Sequence, residues 1–369
     1  MKVLLVTNKV RTYALGFENV LIPLLSLGHE IVWAADFSDF VGDRNKIPCK
    51  TIQIDIYSYP FHRTNIKAYK QLKQIIKEEK IEAMQCSTPI GGTLARLAAW
   101  RCGVKNVIYA AHGFMFFNGA PLINRTLYKW PELLLARVTD TLITINEEDY
   151  RAAQSFKLRG NTRPYMIHGA GINVGVQVII DKSKKRKELG LNDSDIVVVS
   201  AGDLNPNKNN RIVIEAFSHI KNKHIHYAIC GTGMLEEELK QLAKKLGVEE
   251  NIHFLGFRRD MPEILASSDI FVMPSFREGV PRAIMEAMDL GLPCVGSKTR
   301  GIADLIEEGK GGFVSKPKDS KGFAKIITEL AENPEMRHNF GLFNQEKVKM
   351  YSKEIVMDEL TSIYKTVLK

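Results

Sequence analysis

Two glutamates, Glu278 and Glu286, lie eight positions apart at a predicted strand-to-helix turn. The run 270–274 is apolar and uncharged, which is typical of a buried strand, and Pro281 suits the first position of the helix that follows. The start of a helix offers unpaired N–H groups to anions, and carboxylates accept hydrogen bonds from hydroxyl groups. If Gly279 and its neighbours bind a phosphate and the two carboxylates bind hydroxyl groups, the ligand is a sugar nucleotide. The stretch therefore predicts a sugar-nucleotide site. The alternative is an ordinary turn whose glutamates face solvent.

Three further loops of the C-terminal half also follow predicted strands. Ligands bind at the carboxyl ends of the strands in open parallel sheets, so these loops are candidate parts of the same site. Gly231 and Gly233 alone are weak evidence, because Glu236 breaks the glycine pattern of dinucleotide sites. The candidate residues of the three loops and of the glutamate turn are Gly202, Asn207, Lys208, Gly231, Gly233, Phe257, Arg258, Glu278, Gly279, Val280 and Glu286.

The elements that must position these loops alternate between strands and helices, which predicts an α/β fold of two doubly wound parallel sheets. Strands are expected at 3–6, 31–35, 53–54, 82–84, 107–110, 141–144, 196–200, 226–230, 251–254 and 270–273. Helices are expected at 17–27, 65–79, 182–189, 211–220, 235–246 and 353–368, with one more after 91–92. The glycine-rich segment 168–173 is predicted to connect the two halves. The loop after the first strand lacks the GxGxxG pattern of nicotinamide and flavin sites.

The bulk properties are those of a two-domain globular protein. The chain has 369 residues, of which 45% are apolar and 25% are charged. No apolar run is long enough to span a bilayer, and residues 1–6 lead into a strand rather than a signal-peptide cleavage site. The sequence therefore predicts a cytoplasmic protein. Its five cysteines lack the spacing of a disulfide framework or a zinc site.

The net charge of +9 is concentrated in the N-terminal half. Residues 1–173 hold 22 Lys and Arg against 14 Asp and Glu, whereas the rest of the chain holds 29 against 28. Such a field favours an anionic partner: lipid headgroups, nucleic acid or a phosphorylated substrate. One face of the predicted helix 65–79 carries Lys67, Lys70, Lys73, Lys77 and Lys80. That face is either a solvated surface or one that rests on anionic lipid.

Two other N-terminal segments have more than one interpretation. Residues 114–117 are aromatic or apolar, and the chain continues with Arg125, Tyr128, Lys129 and Trp130. Aromatic and cationic side chains suit a membrane interface, and burial in an acceptor cleft or in the core explains them equally well. The segment 88–92 opens a helix and is either an acceptor contact or a plain helix start.

The four strand-end loops of the C-terminal half follow one another in an order that resembles the retaining glycosyltransferase family 4. The pattern Glu278-x7-Glu286 is the most specific part of the resemblance. The resemblance covers essentially the whole chain. It implies the GT-B fold, in which two Rossmann-like domains face a cleft. Residues 1–170, with a C-terminal helix at about 353–369 crossing back, would bind the acceptor, and residues 171–352 would bind the nucleotide sugar.

The resemblance also implies roles for single residues. Glu278 would bind hydroxyls of the donor sugar, and Glu286 would bind those of the ribose. Lys208 would neutralise the donor diphosphate, and the loop 256–258 would frame the base with backbone groups. His112, after a predicted strand of the N-terminal half, would face the donor sugar.

Two positions depart from the family pattern. Asp203 stands where many relatives have an arginine, so a second cationic contact with the diphosphate is either missing or supplied by a base such as Arg282. The bacterial exopolysaccharide and capsule branch often carries an acidic residue at this place. Asn173 in the connector replaces a common aspartate. The loop 8–16 occupies the place of a family loop that approaches the diphosphate and the acceptor.

The resemblance implies transfer of a sugar from a nucleotide donor, uridine-linked on family frequency, to a hydroxyl group with retention at the anomeric carbon. Lys208 and loop N–H groups would stabilise the departing diphosphate. Neither a cofactor nor a metal is expected, since no Asp-x-Asp pair lies on a suitable strand-end loop.

The basic N-terminal half and the expected cytoplasmic location suggest a polyprenyl-diphosphate-linked saccharide as acceptor, at the inner face of the membrane. No nucleic-acid partner is expected. Two other readings remain: a sugar-nucleotide 2-epimerase of the same fold, which needs no acceptor, and a two-lobed sugar-binding protein without activity.

Overall fold

The computed structural model describes residues 1–11, 17–57, 59, 61–117 and 122–369, apart from the side chain of Asn124. The chain divides into two compact units. The N-terminal unit comprises Met1–Gly171 and Lys353–Lys369, and the C-terminal unit comprises Ile172–Ser352. Of the described helices, none is both long and apolar enough to cross a membrane.

The N-terminal unit is built on a parallel sheet. Its described strands are β1 (Lys2–Lys9), β2 (Glu30–Asp36), β3 (Lys50–Gln53), β4 (Ala83–Ser87), β5 (Asn106–Ala111), β6 (Thr141–Thr144) and β7 (Tyr165–Met166). They are ordered β3-β2-β1-β4-β5-β6-β7. The helices between them are α1 (Glu18–Ser26), α2 (Thr64–Glu78), α3 (Pro89–Cys102), α4 (Leu122–Leu127), α5 (Lys129–Ala136) and α6 (Glu147–Ala153).

The C-terminal unit repeats this plan. Its strands are β8 (Ile196–Ala201), β9 (Ile225–Cys230), β10 (Ile252–Gly256), β11 (Ile270–Met273), β12 (Cys294–Ser297) and β13 (Gly312–Ser315), in the order β10-β9-β8-β11-β12-β13. Its helices are α7 (Lys182–Glu188), α8 (Asn210–Phe217), α9 (Glu236–Lys245), α10 (Met261–Ser267), α11 (Arg282–Asp289), α12 (Ile302–Leu305), α13 (Ser320–Glu332) and α14 (Pro334–Val348).

Helices cover both faces of the C-terminal sheet, so its strands are buried on both sides. Val197 and Val199 belong to one buried cluster, whereas Val198 between them belongs to another. Successive side chains of a strand point to opposite faces, so both faces must be apolar. This explains why the predicted strands of this half read as continuous apolar runs rather than as alternating patterns.

The last helix, α15 (Lys353–Val367), belongs to the N-terminal unit. The side chains that it buries are Val356, Leu360, Ile363 and Tyr364. Gly171, just before the boundary, has φ +73°, and a Cβ there would lie 2.7 Å from Nδ2 of Asn19 and 3.1 Å from Cα of Lys353. The close packing of α1 and α15 at this point therefore requires a glycine.

A histidine of the predicted connector also holds α15. Nδ1 of His168 contacts Oε1 of Glu359, and the backbone N–H of His168 donates to Oε2 of Glu359 at 3.0 Å. The hydrogen bond to Glu359 raises the pKa of His168, although burial opposes it. Because folding favours the protonated ring, this stabilisation is complete below the ordinary pKa of about 6.5 and is lost as the pH rises through the raised value.

We expect Glu359→Gln to lower the free energy of unfolding by about 0.5–1 kcal/mol at pH 6 and by less at pH 8.5. Denaturant unfolding at the two pH values measures the difference. Glu354→Gln on the exposed side of the same helix is the matched control. An effect of Glu359→Gln that is equal at both pH values would show that the charge of His168 contributes nothing.

The predicted α/β order of elements is confirmed, and the strands 141–144 and 270–273 match β6 and β11. The sequence patterns did not reveal β12, β13 or the helices α12 to α14. Both strands have four residues and contain a glycine, so their apolar runs are too short to stand out.

Candidate functional site

The candidate residues of the C-terminal unit lie at the carboxyl end of its sheet, where β8 and β11 are neighbours and the strand order reverses. Such a switch point is the usual ligand site of an open parallel sheet. Lys208 follows β8, and Glu278 follows β11. Nζ of Lys208 lies 2.8 Å from Oε1 of Glu278, and the two side chains are 23% and 15% exposed. The fold therefore brings together two residues that the sequence places on separate loops.

Asparagines hold the backbone beside Lys208. Oδ1 of Asn205 accepts hydrogen bonds from the N–H groups of Asn207 and Lys208 at 3.0 and 3.1 Å. Nδ2 of Asn207 donates to the carbonyl oxygen of Arg277 at 2.9 Å. Asn207 thus ties the loop of Lys208 to the loop of Glu278.

The glycines predicted for the site allow neighbouring loops to approach closely. A Cβ on Gly231 would lie 1.9 Å from the carbonyl oxygen of Gly202, and one on Gly233 would lie 2.4 Å from that of Leu204. The N–H of Gly231 donates to the carbonyl oxygen of Gly256 at 2.8 Å. Gly202 and Gly231 have φ values of +148° and +150°, which favour glycine. The loops after β8, β9 and β10 therefore pack on one another, and only residues without a side chain fit between them.

The helix of the glutamate motif begins one residue later than predicted. Pro281 keeps an extended ψ of 120° and is the N-cap, so α11 starts at Arg282. Glu286 lies in the second turn, as predicted, with Oε1 3.3 Å from Nη2 of Arg282. The N–H groups of Gly279 and Val280, just before this helix, donate no hydrogen bond to another described residue. Together with the first turn of α11 they can bind an anion.

Sequence reasoning missed two residues that support the loop of Glu278. Arg300 is 7% exposed, and its Nε donates to the carbonyl oxygen of Glu278 at 3.2 Å. Gly301 has φ +75°, and a Cβ there would lie 1.8 Å from the carbonyl oxygen of Gly279. The signal was present as an Arg-Gly pair shortly after the short apolar run of β12.

The loop after β10 presents its two candidate side chains differently. Phe257 is 73% exposed. Nη2 of Arg258 contacts Oδ2 of Asp260 and lies 2.9 Å from Oε1 of Glu188. These hydrogen bonds raise the pKa of Arg258, and the guanidinium lowers that of Asp260. The charge of Arg258 is thus compensated within the protein, and the loop offers a ligand its backbone and the ring of Phe257.

Asp203, the departure from the family pattern, has an exposed side chain. No ion pair of Asp203 exists within the described part of the chain. Arg282, one base that could supply the second cationic contact, pairs with Glu286.

In the N-terminal unit, His112 follows β5 and is exposed. Desolvation lowers the pKa of its imidazole. Because the ordinary pKa of histidine is about 6.5 and the shift is downward, the ring is mainly neutral at pH 7.

The segment 88–92 is held by Asn8, the first residue of the loop 8–16. Oδ1 of Asn8 accepts from Oγ1 of Thr88 at 2.8 Å and from the N–H of Gly91 at 2.9 Å, at the start of α3. These bonds fix the backbone at the start of α3. Residues 12–16 of that loop lie outside the described residues.

The aromatic and basic residues between 114 and 130 lie partly in the core and partly on the surface. Phe114 and Phe116 are buried, with ring centroids 4.8 Å apart, whereas Trp130 and Lys129 are exposed. Residues 118–121 lie outside the described part. The described side chains contain no group of three or more His, Cys, Asp or Glu that could hold a metal ion.

Two family models match this chain. A model of glycosyl transferase 4-like proteins matches residues 2–146, and a model of glycosyl transferases group 1 matches residues 181–347. The second match contains every candidate residue of the C-terminal unit.

Known proteins resemble the chain over most of their length. Bacillus subtilis EpsD, assigned as a glycosyltransferase, is 36% identical over 319 residues, which is 84% of this chain and 83% of EpsD. The UDP-Gal:alpha-D-GlcNAc-diphosphoundecaprenol alpha-1,3-galactosyltransferase of Escherichia coli is 30% identical over 275 residues, or 73% and 71% of the two chains. The crystal structure of Anabaena Alr3699/HepE in complex with UDP has a TM-score of 0.79 at 20% identity and covers 99% of this chain and 100% of that chain. The predicted GT-B fold is confirmed.

Proposed function

This chain belongs to the group 1 glycosyltransferases, and on that basis we propose that it moves a sugar from a UDP-sugar to a hydroxyl of a lipid-linked saccharide, with retention at the anomeric carbon. The contact of Lys208 with Glu278 at the switch point of the C-terminal sheet carries the proposal. It lies beside the N–H groups of Gly279 and Val280. A cation and such N–H groups suit a diphosphate, and a neighbouring carboxylate suits the hydroxyls of the attached sugar.

The proposed chemistry needs little beyond electrostatics. As the bond between the sugar and the diphosphate breaks, negative charge grows on the diphosphate, and the ammonium of Lys208 with the loop N–H groups stabilises it without a metal. A diphosphate oxygen takes the proton of the attacking hydroxyl on the same face of the sugar. The new bond then forms on the face from which the nucleotide leaves, which gives retention.

The remaining candidate residues hold the two ends of the donor. Glu278 accepts hydrogen bonds from the sugar and Glu286 from the ribose, while the backbone at Phe257 frames the base. We also propose His112 as a contact of the donor sugar, since its exposed ring lies at the carboxyl end of β5, the edge at which parallel sheets bind ligands.

The names of related proteins support the choice of substrates. The Escherichia coli relative takes its galactose from UDP-Gal and acts on a diphosphoundecaprenol-linked GlcNAc, and the Anabaena structure contains UDP. An acceptor of this kind, in the synthesis of a bacterial surface polysaccharide, also suits the basic N-terminal half.

Incubation of the purified protein with UDP-, GDP- and dTDP-sugars tests the proposal, with and without a polyprenyl-diphosphate saccharide. We expect nucleotide release from one UDP-sugar, in the presence of acceptor only, together with a lipid-linked product. Conversion of a donor without acceptor would instead identify an epimerase. No reaction with any donor would leave the sugar-binding alternative.

The lysine face of α2 supports a location at the membrane surface. Lys67 pairs with Asp55 at 2.6 Å, whereas Lys70 and Lys77 have no ion pair among the described residues. Each exposed cation near an anionic surface contributes about 1 kcal/mol to binding. We therefore propose that α2 rests on anionic lipid.

Neutralising Lys70, Lys73 and Lys77 with glutamine should weaken sedimentation with phosphatidylglycerol vesicles by about 100-fold in partition coefficient. The matched control is the same exchange at Lys240, Lys244 and Lys245 of α9, which removes equal charge from the C-terminal unit. Sedimentation of the α2 variant at the parent level would show that this face does not dock.

A further inference from the structure

A cavity of about 380 Å³ lies in the N-terminal unit. Its wall is formed by the start of α3, the loop after β5, the α4–α5 region and the segment before α2. Apolar and aromatic side chains dominate this wall, among them Tyr59, Phe61, Ile90, Leu94, Phe114 and Leu127.

Three polar side chains that line the cavity, Glu132, Tyr109 and Thr93, are already bonded within the protein. Glu132 receives two hydrogen bonds from the buried Arg96, at 2.9 and 3.1 Å, and a third from the hydroxyl of Tyr109 at 3.4 Å. Oγ1 of Thr93 donates to the carbonyl oxygen of Pro89 at 2.8 Å. A saccharide would find few free partners here, and a phosphate would meet a carboxylate rather than a cation. The lining therefore suits an uncharged apolar group.

The surface beside the cavity is amphipathic. Besides Leu127, which lines the cavity, four large apolar side chains of α4 and α5 are exposed: Leu122, Ile123, Trp130 and Leu134. Arg125 and Lys129, on the same two helices, are exposed and form no ion pair within the residues that the structure describes. An apolar patch flanked by unpaired cations suits a ligand with an apolar chain and an anionic head.

We infer that this cavity binds the isoprenoid chain of a prenyl-diphosphate acceptor, with the diphosphate near Arg125 and Lys129. The inference rests on the proposed function, because it assumes that the acceptor saccharide is carried on a prenyl diphosphate. It adds the place that recognises the carrier. The apolar wall of the cavity binds the isoprenoid chain, and Arg125 and Lys129 outside it bind the diphosphate.

Two comparisons test this inference in the absence of membranes. First, the same saccharide diphosphate is offered on a farnesyl tail and on a methyl tail, and the parent should have a KM at least 10-fold lower for the farnesyl acceptor. Second, Leu127→Glu should raise the KM for the farnesyl acceptor about 10-fold and leave the KM for the donor unchanged. Leu127 is 50% exposed at the mouth of the cavity, so the variant should fold.

Leu342→Glu is the matched control. Leu342 is 54% exposed on α14 of the C-terminal unit and does not line the cavity, so this variant should behave as the parent does with both soluble acceptors. Equal KM values for the two tails in the parent, or equal effects of the two variants, would overturn the inference.

Direct binding keeps the cavity testable if the proposed transfer fails. Calorimetry should show that farnesyl diphosphate binds to the parent and at least 10-fold more weakly to Leu127→Glu, whereas inorganic diphosphate binds weakly to both. Equally tight binding of dodecyl phosphate would assign the cavity to membrane lipid and reject the acceptor chain. Absence of transfer with all donors, together with intact farnesyl diphosphate binding, would reject the proposed function and not the cavity.

Discussion

Replacing Lys208 by alanine is expected to lower kcat for transfer by about 10²–10³-fold. Nζ of Lys208 lies 2.8 Å from Glu278, where the donor diphosphate is proposed to bind. Charge on the diphosphate grows as its bond to the sugar breaks, so the lost cation matters more in the transition state than in the bound donor. We therefore expect kcat to fall more than the KM for the donor rises, which nucleotide release at saturating and limiting donor measures.

Glu278→Ala should have an effect of similar size for a different reason, since it removes contacts to the sugar and leaves the partly buried Lys208 without its partner. Glu307→Ala is the matched control. Oε1 of Glu307 lies 2.7 Å from Nζ of Lys310, in the turn that precedes β13. This turn lies at the amino end of the strand, whereas Lys208 and Glu278 follow the carboxyl ends of their strands. This variant should keep parent turnover. Parent turnover in the Lys208 and Glu278 variants would remove both residues from the proposed mechanism.

Gly301→Ala is expected to reduce transfer by about 100-fold, although residue 301 has no side chain to contact a substrate. The new Cβ would lie 1.8 Å from the carbonyl oxygen of Gly279, so the loop that carries Glu278 must move. A displacement of about 1 Å at a reacting group is enough for a loss of this size. Initial rates with saturating acceptor, and the KM for the donor, measure the effect.

Gly309→Ala separates this displacement from backbone strain. Gly309 has φ +78°, close to the +75° of Gly301, but a Cβ there meets nothing within 4 Å. The positive φ should cost Gly309→Ala about 1–2 kcal/mol of stability and Gly301→Ala at least as much, and only Gly301→Ala should lose transfer. Equal activity of the two would mean that the loop of Glu278 accommodates the methyl group.

Local patterns were sufficient where an interaction stays close in sequence. The strand, turn and helix that carry Glu278 and Glu286 were predicted from apolar runs and helix formers, and the helix start was wrong by a single residue, at Pro281. The apolar face of α2 was also predicted correctly, because the 3.6-residue period of a helix fixes which side chains share a face: Ala68, Leu72, Ile75 and Ile76 are buried. Lys80, predicted to share the lysine face, lies beyond the end of the helix at φ +53°.

Contacts between distant segments were not predictable in this way. The bidentate pair of Arg96 and Glu132, on α3 and α5, closes one wall of the apolar cavity, and neither residue stands out in the sequence. The hydrogen bond from Arg300 to the carbonyl oxygen of Glu278 was missed for the same reason. The strand β12 is too short to be recognised in the sequence, so the loop that follows it was not recognised either.

The sequence by itself determined the α/β class, the two halves and the family, and through the family it pointed to Lys208, Glu278 and Glu286. The α/β class and the two halves follow from composition and from the periodicity of short stretches, whereas the family and these three residues follow from the resemblance. The tertiary structure decided which loops touch, which glycines admit no side chain, and that Arg258 and Arg282 are already paired with carboxylates. The reason is physical: strand order brings residues about 70 positions apart, such as Lys208 and Glu278, within a hydrogen bond of each other, and no local pattern encodes that distance.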